Sequence, residues 1–178
     1  GLVAVGVQVT VASNTSHNTA RIDLRGQKAS VGDLNVRAGV DKDGKVKSSN
    51  LEATVGSGLV GGLGAISFNY AGGSNTSVNN AEILGNAETE LTADNVKVEA
   101  KGASKTKTDV VNVSIGVLSI AANIAISNLK ALQNARIYGV GTLKTDSVNV
   151  TSEFNNEGNK DTAYARTSNP VNIGLVAI

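Results

Sequence analysis

Gly1-Leu2-Val3-Ala4-Val5 returns as Gly58-Leu59-Val60-Gly61-Gly62, as Gly116-Val117-Leu118-Ser119-Ile120 and as Gly174-Leu175-Val176-Ala177-Ile178. These returns are almost evenly spaced, and they divide the chain into modules 1–57, 58–115 and 116–173, with a fourth beginning at 174. Two more landmarks keep their order inside each module. Thr19-Ala20-Arg21-Ile22 answers to Asn80-Ala81-Glu82-Ile83 and Asn134-Ala135-Arg136-Ile137, and Leu34-Asn35-Val36 answers to Val96-Lys97-Val98 and Val148-Asn149-Val150. A fixed period of this size marks a stacked architecture, because one unit cannot bury its own apolar face. Residues 1–178 therefore read as one continuous body. The chain opens without Met and stops as a module begins, so we read it as a slice of a longer protein.

Within the modules the period is two. Val3, Val5, Val7, Val9 and Val11 alternate with Ala4, Gly6, Gln8 and Thr10; Ile66, Phe68 and Tyr70 alternate likewise, as do Leu118, Ile120, Ala122, Ile124 and Ile126. Short strands are expected at Ala20–Leu24, Leu34–Ala38, Val96–Ala100 and Val148–Ser152. Turns are expected at the Asn-, Ser- and Gly-rich stretches Ser13–Asn18, Asp41–Gly44, Gly72–Asn80 and Asn155–Asp161. Ala81 lies farther from its module start than Ala20 and Ala135 do from theirs, which reads as a four-residue insertion that Gly72-Gly73-Ser74-Asn75 would absorb. No segment carries a helical stripe.

These features predict an all-β fold, a right-handed parallel β-helix. A 58-residue module divides into three coils of about 19 residues, giving about nine coils and a rod of about 40 Å. Inward Val and Ile would form a dry core, with Asn, Ser, Thr and Lys facing water. Turn asparagines would hydrogen-bond along the stack.

Composition excludes more than it selects. Sixteen basic and fifteen acidic residues leave a net charge of +1, spread over the modules as +2, −2 and +1. No module carries the concentrated positive field that nucleic acid requires. The absence of cysteine removes disulfides, thiolate metal sites and cysteine nucleophiles. Residues 110–129 are uncharged over twenty positions, but three asparagines and period-two alternation argue against a membrane-spanning helix. A transmembrane barrel would need aromatic girdles, which 3% aromatic residues cannot supply.

Several motifs resemble chemistry and fail on context. Gly56-Ser57-Gly58-Leu59-Val60-Gly61 with Glu82 matches a dinucleotide fingerprint, but no helix opens after its second glycine. His17, the one histidine, sits in a polar stretch without triad or zinc partners and reads as an exposed turn residue. Asp41-Lys42-Asp43-Gly44 begins like a calcium loop closed by Glu52, but Lys45 and Lys47 stand where oxygens are needed. Asp23, Asp33, Glu82, Glu88, Glu90 and Asp94 never recur in register as a catalytic carboxylate pair would. We therefore expect no enzyme activity, no cofactor and no metal.

The order G-[LV]-[LV]-x-[IV], then [QN]-[NT]-A-x-I, then V-x-V and a Thr/Ser/Asn-rich coil resembles the repeat region of leukotoxin-type filamentous adhesins, which are filamentous haemagglutinin-like. The likeness is strongest from Lys107 to Gly116 and from Ala131 to Ala135, and it extends over the whole chain. It implies a large secreted virulence factor at the bacterial surface, exported through an outer-membrane partner by two-partner secretion. Such a protein would meet a leukocyte or epithelial receptor or glycan. The alternative is a β-helical glycan-binding or polysaccharide-processing protein, for which Gly72–Asn80 with Tyr70 would be the place of contact.

Overall fold

The computed structural model describes residues 2–155, 163–174 and 176–177. They form strands and connections with no helix: β1 (Val3–Asp23), β2 (Lys28–Ala38), β3 (Ser48–Val60), β4 (Gly64–Leu84), β5 (Glu90–Ile115), β6 (Leu118–Tyr138), β7 (Thr142–Phe154), β8 (Ala163–Ile173) and β9 (Val176–Ala177). Every pairing between these strands is parallel. One sheet runs β1-β4-β6-β9. A second layer is centred on β5, whose first half pairs with β2 and β7 and whose second half pairs with β3 and β8. The fold is thus all-β and β-helix-like.

The pairing offset sets the coil. Asn18 meets Asn79 at a separation of 61 residues, Asn69 meets Asn123 at 54, and Lys107 meets Glu52 at 55. Each turn of the winding therefore takes a whole sequence module. The expected division of each module into three short coils, some nine in all, is not what the pairings form. Long strands explain the difference: a coil spends 21 residues in β4, turns, and returns through the 26 residues of β5. Cross-layer bonds mark the fold-back, including Ser127 Oγ to the Thr106 carbonyl at 2.9 Å and Asn75 Nδ2 to the Lys105 carbonyl at 3.2 Å. At about 4.8 Å per coil, three coils rise roughly 15 Å, whereas a 21-residue strand extends for about 70 Å. The stack is a broad ribbon, which replaces the narrow rod expected from sequence.

Two expected turns are strand. Ser13–Asn18 lies inside β1, and Gly72–Asn80 lies inside β4. Their register is unbroken from Val3↔Gly64 to Asp23↔Leu84, and from Gly64↔Leu118 to Leu84↔Tyr138. The four residues assigned to an insertion at Gly72–Asn75 are therefore not extra there. The Ala-x-Ile and V-x-V landmarks do pair in register. Asp41–Gly44 is a turn: Asp41 Oδ1 accepts from the N–H groups of Asp43 and Lys45, both at 2.9 Å, and Gly44 takes φ +82°. The Asn155–Asp161 turn lies, beyond Asn155, outside the described residues.

The Gly-rich module signature is a corner. Gly61 donates to the Ile115 carbonyl at 2.8 Å and Gly116 to the Ile173 carbonyl at 2.9 Å, turning the second layer back into the first. A Cβ on Gly61 would stand 1.7 Å from the Gly64 carbonyl oxygen, so no other residue fits that approach. At the opposite corner Thr89, fully buried, donates from Oγ1 to the Leu24 carbonyl at 2.9 Å. Asn86 Oδ1 there accepts from Gly26 N–H at 2.9 Å. These bonds cross from coil to coil and hold the corners in register.

The two halves of the coil are packed differently. Where the end of β4 meets the start of β5, Ile83, Leu91, Val96, Val98 and Val36 form an apolar core. Where the start of β4 meets the end of β5, the interior holds Ser67, Asn69, Thr106, Thr108, Asn112 and Ser114, and its apolar cluster is small: Val55, Ala71 and Val110, with Ala125 packed against them. The expected arrangement, Val and Ile in and polar residues out, is inverted in this half. Asparagine stacks stand between the halves: Asn18 to Asn79 at 2.7 Å and Asn79 to Gln133 at 2.7 Å. They lie inside strands instead of in turns.

Candidate interaction surface

The outer face of the apolar half is charged. Glu82 sits between Arg21 at 3.9 Å and Arg136 at 2.8 Å, which are the variable positions of the Ala-x-Ile landmark in three successive coils. Glu99, its side chain 5% exposed, receives Arg37 Nε at 2.8 Å and Lys97 Nζ at 3.0 Å. Burial alone would raise its pKa, but the bonds from Lys97 and Arg37 outweigh this and hold it below the usual glutamate value. Lys101 bridges Glu99 and Glu153, and its bond to Glu153 raises its own pKa. Lys28 to Glu90 at 2.7 Å repeats the theme at the rim. Opposite charges oppose each other from coil to coil, and like charges would not stack this way, so the pattern selects the register.

The carboxylates weighed from sequence are thus ion-paired or scattered. Asp23 pairs with Arg25, which lowers its pKa to about 2. Asp33 Oδ1 accepts from Asn95 at 2.8 Å. Glu52 binds Lys107 at 2.8 Å and closes no calcium loop. Among the described residues no group of three or more His, Cys, Asp or Glu is placed to hold a metal. Gly56–Val60 belongs to β3, and no helix follows it. His17 is exposed beside Val78 on a strand, where sequence placed it in a turn.

A polar depression lies on the outer face of the second layer. Lys105, Lys107, Asp109, Tyr164 and Arg166 line about 190 Å³, and Asn50, Leu51 and Glu52 continue it on the other side of Lys107. Asp109 Oδ2 holds Lys107 at 2.8 Å, and the bonds from Asp109 and Glu52 raise the Lys107 pKa. Arg166 and Tyr164 reach this stretch from the following coil, so no local run of sequence announces the depression.

The other outer surface is apolar. Val3, Val5, Val7, Val9 and Val11 point outward on β1, and Val5 is 67% exposed. Beside them Ile66, Phe68 and Tyr70 point outward on β4, and Leu118, Ile120, Ala122, Ile124 and Ile126 on β6. Phe68 is 39% exposed although strands flank it on both sides. Tyr70 lies over Gly72, whose added Cβ would meet the ring at 3.0 Å. The patch continues around the glycine corner, where Val60, Ile115, Val117 and Ile173 line an apolar hollow of about 570 Å³. Sequence alternation showed this stripe but assigned it to the core.

Among the described residues no helix is long and apolar enough to cross a membrane. Compared with protein families, with curated proteins and with solved structures, the chain matches none.

Proposed function

We propose that the chain is a non-enzymatic repeat segment of a large secreted bacterial surface adhesin of leukotoxin type, wound right-handed in coils of one module each. Its work is to extend a stiff β ribbon and present a contact surface to a host leukocyte or epithelial cell. The observation that carries this reading is the parallel pairing of successive coils, at steps such as 61 and 54 residues that each amount to about one module. Each coil lies parallel to the next one module on, so extension scales with the number of modules. Right-handed winding follows the strong preference of parallel crossover connections. Export through an outer-membrane partner, and the extracellular location, come with the family resemblance.

Flow cytometry of the purified chain on leukocytes and epithelial cells tests the reading, with a shuffled-repeat β-helix as control. Saturable binding above the control is expected. A folded chain that binds neither cell type removes host contact from this segment and leaves a spacer.

The depression at Lys105, Lys107, Asp109, Tyr164 and Arg166 favours one second reading, a glycan-binding surface, since cations beside a tyrosine ring suit an acidic sugar. Arg166→Ala would then abolish binding to acidic glycans on an array and leave folding unchanged.

A further inference from the structure

The apolar outer stripe is the least explained part of the molecule. Soluble monomers rarely expose a contiguous apolar patch of more than a few hundred Å². From the exposures of the five β1 valines and of Ile66, Phe68, Leu118, Ile124 and Ile126, this one presents on the order of 800 Å², about the share one partner contributes to a standard specific interface. Its outward positions from Val3 to Val11, Gly64 to Gly72 and Leu118 to Ile126 contain no charged residue.

We propose that this face docks a second copy of the same chain, sheet against sheet. Three observations select that occupant. The exposed area matches what a stable dimer needs. The valine ladder is an even row of β-branched side chains, the surface that packs against another sheet at about 10 Å. The rim carries Ser13, Ser74 and Asn128 at one end, with Lys130 the next outward residue beyond them, and the glycine corner at the other. An anionic bilayer would call for a cluster of lysines and arginines at that rim. A twofold pairing needs only that the patch be complementary to itself. It also accounts for the inverted packing: the large residues absent from the thin interior are buried between ribbons.

Analytical ultracentrifugation of the whole chain tests this. The wild type is expected to sediment as a dimer at micromolar concentration. Val7→Glu, at a position 67% exposed and outside the interior, should weaken association at least 100-fold with unchanged circular dichroism. Thr54→Lys, on the outer face of the second layer, should leave the dimer intact. Because the chain lacks cysteine, Val7→Cys gives an independent reading that spares the fold: oxidation should link two copies, and Thr54→Cys should not. A wild type that stays monomeric at about 100 μM, a dimer that survives a folded Val7→Glu, or equal cross-linking from both cysteines overturns the proposal. Uptake of a monomer onto phosphatidylcholine–phosphatidylglycerol vesicles overturns it in favour of lipid. None of these outcomes depends on host-cell binding, so this proposal and the adhesin reading fail separately.

Discussion

The two halves of the middle coil are built from the same two long strands, β4 and β5, yet they are inside out relative to one another. In the half containing Ile83 and Val96 the interior is apolar and the exterior carries the Arg21–Glu82–Arg136 and Arg37–Glu99 pairs. In the half containing Ser67 and Asn112 the interior is small and polar, and the exterior of the first layer carries Val, Ile, Leu and Phe while that of the second carries Lys105, Lys107 and Asp109. Ser67 Oγ, Asn69 Oδ1, Thr106 Oγ1 and Asn112 Nδ2 there are buried without a partner. Each such atom costs about 1–3 kcal/mol if left dry. The difference teaches that backbone ladders can hold a β layer where its core does not. The apolar half is the anchor, and the polar half is carried along by continuous strands.

The largest test of this contrast is a pair of truncations. Ile83→Ala should destabilise by about 2–5 kcal/mol, because it opens a cavity in the main core. Val110→Ala, equally buried but in the small cluster, should cost no more than about 1–2 kcal/mol. Urea unfolding followed by circular dichroism measures both, and equal losses would erase the distinction between anchor and passenger. The next test probes how thin the polar half is. A Cβ on Gly73 already stands 3.0 Å from Thr106 Cγ2 and Thr108 Oγ1, so Gly73→Val should cost about 1–3 kcal/mol through overpacking. Gly56→Val meets open space on an outer face and should be neutral or slightly stabilising, by its strand preference.

The smallest effect concerns the charged exterior. The folded pKa of Glu99 lies below its unfolded value of about 4.3, so its ion pairs stabilise the fold above that pH. That stability is lost as pH falls through the folded pKa. Glu99→Gln should lower the urea midpoint at pH 7, and the gap from wild type should close as the pH drops below about 4.3. A gap that persists in acid would assign the effect to packing.

Much of this was legible beforehand. Parallel stacking follows from the repeat, since Ala20, Ala81 and Ala135 could recur only if each module met the same neighbours. The corners at Gly61 and Gly116 were not legible: no expected turn fell there, and the close approaches that a Cβ would block are made by the neighbouring coils. The coil length was not legible, because Ser13–Asn18 and Gly72–Asn80 have turn composition and are held extended by pairing with the neighbouring strands. The depression under Tyr164 joins residues of different modules, and no local pattern announces it.

By itself the sequence determined that the chain alternates with period two, that modules stack in register, and that large apolar residues gather on one side within each alternating stretch. Tertiary structure alone decided which side faces in. Val3 to Val11 and Arg21 share one parity, as do Ile66 to Tyr70 and Glu82. A turn or a single-residue bulge between them would have freed the two stretches to face opposite ways. The strands run through without either. Once Ala81 and Ile83 enter the main core and Glu82 turns to the opposite face between Arg21 and Arg136, the rest of β4 follows, and its hydrophobic row is carried to the surface.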